Sequence, residues 1–82
     1  MAWILLLIQV LPSVLSLIQA IRELISKQPV SQRPAAWKRL RLIAKAHVKK
    51  QRGGVYTLSA SEDDVFGDLE GLRDDLVLKT DA

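Results

Sequence analysis

Residues 2–21 read AWILLLIQVLPSVLSLIQAI, twenty positions without a charged side chain. The next thirty-one, residues 22–52, carry ten basic residues against Glu23 alone. As one α-helix the apolar block is about 30 Å long, the thickness of a bilayer's hydrocarbon core. Its mean hydropathy of roughly +2 falls in the spanning range. Trp3 stands at one end, where an indole favours the interface; Arg22 and Lys27 stand at the other, where long basic side chains reach headgroups. Length and flanking charge predict a single transmembrane helix over residues 1–27. The Lys and Arg that follow place the C-terminus in the cytoplasm, or inside a virion if the membrane belongs to one.

The polar positions of the block fall on one helical stripe. Gln9, Ser13, Ser16 and Ala20 recur at three- and four-residue steps. Small residues let helix backbones approach, and Gln and Ser can hydrogen-bond across the contact, so the stripe predicts packing against another membrane helix, in a homo-oligomer or a larger assembly. Pro12 frees a backbone carbonyl and predicts a kink. Two other readings use the same residues. In a soluble reading Pro12 starts a helix at its first position, Val14, Leu17, Ile18, Ile21, Leu24 and Ile25 form a buried face, and the residues before Pro12 make a separate buried piece. A cleavable signal peptide is the third; it lacks a basic n-region and a small-x-small cleavage pattern.

Pro29 and Pro34 bracket a breaker-rich hinge over residues 28–34. A basic amphipathic helix is expected over residues 35–52, with Pro34 at its start and Gly53 and Gly54 as its stop. Trp37, Leu40 and Ile43 share its apolar face. Lys38, Arg39, Arg41, Lys45, Lys49, Lys50 and Arg52 take the flanks, back and end. Such a helix suits an anionic surface, where each basic residue adds about 1 kcal/mol and Trp37 with Leu40 can insert among headgroups. The same residues suit nucleic-acid phosphates, which bind cations without regard to sequence. No zinc finger, helix-turn-helix or other base-reading motif accompanies them, and an acidic protein is a further candidate partner. His47 reads as a packed residue, with no second ligand or nucleophile near it in sequence.

Residues 53–61 are a linker, with a short β-leaning stretch at 55–60. Ser61 then heads an acidic amphipathic helix expected over residues 62–79, with Glu62, Asp63 and Asp64 in its first turn. Phe66, Leu69, Leu72 and Leu76 make its apolar face. The two amphipathic helices have complementary faces and opposite charge, which allows a helical hairpin.

The fold class is therefore all-α. A chain of 82 residues without cysteine has no disulfide framework and no thiolate metal site. No nucleophile–base pair, metal set or phosphate loop is recognisable, so neither an enzyme, a cofactor nor a small-molecule substrate is expected. The reading that follows is a small single-span membrane protein, a structural subunit of a larger assembly that contacts an anionic surface. A virion or coat protein whose basic segment meets nucleic acid is the alternative. A membrane-disrupting lysis or pore-forming protein is a second.

Overall fold

The apolar block is not one helix. The computed structural model describes residues 2–81, and in it the chain turns by 118° at Leu11 and Pro12. Helix α1 spans Ala2–Val10; a 3-10 turn, Pro12–Val14, leads into α2, Leu15–Ser26. The break has a local cause. A residue before proline avoids the helical region, and Leu11 sits at φ −136° and ψ 79°. Pro12 lacks an N–H, so it starts the next helical segment. The Leu11 amide still closes the last turn of α1 on the Leu7 carbonyl at 2.8 Å.

Apolar residues recur through the bend at steps of three and four. Ile4, Leu7 and Leu11, then Val14, Ile18, Ile21 and Ile25, are all buried. This stripe forms one wall of the core. A second 3-10 turn, Val30–Gln32, leads to α3, Arg33–His47, which is followed directly by strand β1, Val48–Lys50. Strand β2, Tyr56–Leu58, returns antiparallel, pairing Val48 with Leu58 and Lys50 with Tyr56. Helix α4, Glu62–Asp81, completes the chain. Four α-helices carry most of the described residues, and the fold is all-α with one small hairpin. Helix α2 packs on α4, α1 on α3 and the hairpin, and α3 on α4.

Several expected boundaries differ from those observed; α3 starts at Arg33 rather than residue 35, and α4 runs to Asp81 rather than residue 79. The helix over residues 1–27 is two helices, for the reason just given; Met1, at its start, lies outside the described residues. The basic helix expected to reach residue 52 ends at His47, because Val48 turns to extended backbone and is buried against the core while Lys49 and Lys50 pair with β2. The linker over residues 53–61 contains β2. Gly53 and Gly54 have φ of 84° and 80°, a left-handed conformation that glycine adopts without steric cost. They close the hairpin loop rather than terminate a helix. Ser59 ties the hairpin to the end of α3, its amide donating to the His47 carbonyl and its hydroxyl to that of Ala46.

The hinge expected over residues 28–34 ends at Gln32, because Arg33 and Pro34 already belong to α3, and residues 28–32 form a pinned turn. Gln28 is 3% exposed, and its side-chain amide donates to the Leu76 carbonyl and the Thr80 hydroxyl of α4. Arg33 donates back to the carbonyls of Gln28 and Ser26. Helix α4 starts on a side-chain cap, the Ser61 hydroxyl accepting from the Asp64 amide at 3.2 Å, with three carboxylates in its first turn. Among the described residues, no single helix is long and apolar enough to cross a membrane. The bent pair Ala2–Val10 and Pro12–Ser26 meets that test only when taken together.

Candidate functional site

Helix α3 divides its residues by direction. Ala36, Leu40, Ala44 and His47 point into the core. Opposite them, Lys38, Leu42 and Lys45 are exposed and lie nearest the outermost line of the helix, while exposed Ala35 and Ala46 are displaced from it toward α4, Ala35 lining the groove there. Arg41, also exposed, flanks that line on the side away from α4. Arg39 flanks it on the other side, toward α4, and its guanidinium meets the Asp75 carboxylate at 2.9 Å.

The hairpin extends this surface beyond the end of the helix. Because β1 begins at Val48, immediately after α3, Lys49, Lys50 and Arg52 continue the basic stretch onto the strand and its turn, and all three are exposed. The turn is closed by the Gln51 amide on the Val55 carbonyl at 2.6 Å and by the Gln51 side chain on the Thr57 hydroxyl at 3.0 Å. A Cβ built on Gly53 or Gly54 would meet nothing within 4 Å, so the tip stands clear of the rest of the chain. Among the described residues, Lys38, Arg41, Lys45, Lys49, Lys50 and Arg52 make no ion pair.

The apolar faces of α3 and α4, expected to pack on each other or on a partner, are used inside the chain. Leu40, Leu69, Leu72 and Leu76 are buried, and Trp37, Ile43 and Phe66 are half-buried against the same core. Leu40 is 0% exposed, so insertion of Trp37 with Leu40 among headgroups is not available to this fold. Gln9, Ser13 and Ser16 are exposed and Ala20 is half-buried. That stripe lies opposite the buried one and makes no side-chain hydrogen bond among the described residues.

His47 has a partner that its sequence neighbourhood does not contain. Its Nε2 lies 2.6 Å from Asp68 Oδ2 of α4. Nδ1 is buried without a hydrogen-bond partner, so the pair does not extend to a nucleophile. Among the described residues no group of three or more His, Asp or Glu side chains is placed to hold a metal ion. A groove of about 450 Å³ lies between the open ends of α3 and α4, lined in part by Gln28, Gln32, Ala36, Arg39, Leu72 and Lys79.

The run of exposed cations was legible as composition. Its shape was not, since the hairpin depends on pairing with residues 56–58. No protein-family model, curated protein or solved structure matches this chain.

Proposed function

We propose that the chain is a non-enzymatic structural protein that contacts nucleic-acid phosphates through α3 and the hairpin tip. The observation that supports this reading is the set of six exposed, unpaired cations from Lys38 to Arg52, on one stretch of helix and strand. Like charges held this close repel one another, and a polyanion relieves the repulsion while releasing its own counterions. The acidic helix does not relieve it: among the described residues, Arg39 and His47 are the ones paired with carboxylates of α4 across the α3–α4 seam. A coat protein touching a packaged genome is one setting for such a contact.

The test is binding of the full chain to a labelled oligonucleotide over a salt series. Contact with four to six phosphates predicts a log–log slope of about −3 to −5. Replacing Lys45, Lys49, Lys50 and Arg52 with alanine should flatten the slope and weaken binding at every salt concentration. A folded protein that fails to bind at low salt would overturn the reading.

The membrane reading is favoured by a different observation. The pair Ala2–Val10 and Pro12–Ser26 has the length and composition of a span, broken in the middle, and Leu5 and Leu15 of this pair are exposed. In that reading the pair opens into a single-pass anchor and packs with other helices through Gln9, Ser13, Ser16 and Ala20. The C-terminus then lies in the cytoplasm or virion interior, with the basic segment on anionic headgroups. Alkaline carbonate extraction separates the two: retention in the membrane pellet supports the anchor, and release to the supernatant removes it.

A further inference from the structure

Resting on the nucleic-acid reading, we infer that the ligand is duplex DNA and that α3 enters its major groove, with Leu42 facing the base edges and the hairpin tip on flanking phosphates. A surface that only grips phosphates has no use for an apolar centre. Yet Leu42 is 51% exposed near the outermost line of α3, between exposed Lys38 and Lys45, with exposed Ala46 one turn on. An apolar side chain at that place meets thymine methyl groups, which are displayed only in the major groove. The small side chain of Ala46, one turn on, lets the backbone approach closely. A helix about 10–12 Å across matches a groove about 12 Å wide.

The hairpin fits the same pose. It leaves the C-terminal end of α3 without a linker, so Lys49, Lys50 and Arg52 fall beyond the groove-filling part of the helix, where the phosphates line the groove edge. The free space around Gly53 and Gly54 allows the tip to approach a backbone closely. Approach is asymmetric. Arg39 is already neutralised by Asp75 on the α4 side, so the duplex is drawn toward the side of Lys38, Arg41 and Lys45 and held away from the acidic helix.

Two alternatives fit less well. Single strands are gripped by aromatic platforms, but Trp3, Trp37, Tyr56 and Phe66 are all packed against the core, and Trp3 meets Tyr56 edge-on at 6.5 Å. Double-stranded RNA has a deep, narrow major groove that excludes a helix.

The experiment compares the full chain on one mixed sequence as duplex DNA, duplex RNA and single-stranded DNA, with Leu42→Gln and Lys45→Ala variants checked for folding by circular dichroism. Duplex DNA should bind about tenfold tighter than the other two. Leu42→Gln should weaken duplex DNA binding about five- to tenfold with an unchanged salt slope, as should replacing thymine with deoxyuracil. Lys45→Ala should weaken all three and lower the slope by about one. Equal affinity for the three ligands, or a Leu42→Gln variant that binds as the parent does, overturns groove insertion and leaves phosphate contact standing. No binding to any ligand overturns both.

Discussion

His47 of α3 and Asp68 of α4 are joined at 2.6 Å although twenty-one residues separate them, and the contact pairs a buried imidazole with a carboxylate that is more than half exposed. The asymmetry decides what each substitution does. Among the described residues Asp68 makes the one hydrogen bond to this ring, and its loss leaves both nitrogens unpartnered. Asp68→Ala should cost about 1–3 kcal/mol of unfolding free energy, the penalty of a buried polar group left unsatisfied. Asp63→Ala, at another exposed acidic position of the same helix, should stay within about 0.5 kcal/mol. Urea denaturation of the two variants checks the difference; equal effects would remove the pair from the account of stability.

The stripe through the bend makes a second contrast. Ile18 is 1% exposed and Ser16, two positions earlier, is exposed. Ile18→Ala should cost about 2–5 kcal/mol, combining lost burial with a cavity. Ser16→Ala should change stability by less than about 0.5 kcal/mol. If Ser16→Ala proves the more damaging, the polar stripe rather than the apolar one carries the packing.

Gln28 fastens the turn before α3 to the last turns of α4. Its amide reaches both the Leu76 carbonyl at 3.3 Å and the Thr80 hydroxyl at 2.7 Å. Gln28→Ala should lower stability by about 1–2 kcal/mol. The loss should also be local, appearing as faster amide hydrogen exchange in the last two turns of α4 before any change in α1. Uniform acceleration along the chain would contradict this.

Gly53 and Gly54 test the hairpin separately. Alanine at either position meets no neighbouring atom but must hold a positive φ. Each substitution should cost about 1–2 kcal/mol through the backbone alone. The loss should register as a lower melting temperature with the helical signal at 20 °C unchanged.

Different residues were legible to different degrees. Helix α4 announces itself, because Ser61 supplies a cap and Glu62, Asp63 and Asp64 supply first-turn charge, all within four consecutive positions. Pro12 likewise marks a helix start by its chemistry. The end of α3 was hidden: Lys49 and Lys50 complement a helix C-terminus as well as they suit a strand, and Gly53 and Gly54 can stop a helix or turn a hairpin. Only pairing with Tyr56 and Thr57 decides between these, and that is a tertiary event. Polar Gln9, Ser13 and Ser16 and apolar Ile4, Leu7, Leu11 and Val14 are opposite faces of one periodicity. The spacing alone does not say which face meets protein. The partner of His47 lies on another helix, beyond the reach of any local pattern.

Charge segregation along the chain becomes segregation in space once α3, the hairpin and α4 are folded. Cations gather on the outer face of α3 and the hairpin tip, while α4 carries Glu62, Asp63, Asp64, Asp68, Glu70, Asp74 and Asp75. The folded molecule is thus an electric dipole. In the field of a polyanion it experiences a torque that turns α3 forward before any atom touches, so a larger fraction of collisions arrive in the productive orientation. That field reaches only about 8 Å at physiological ionic strength. For the proposed nucleic-acid contact, added salt should therefore reduce the association rate before it shortens the lifetime of the complex, and the acidic helix, set apart from the proposed contact surface, should contribute to how quickly that contact is found.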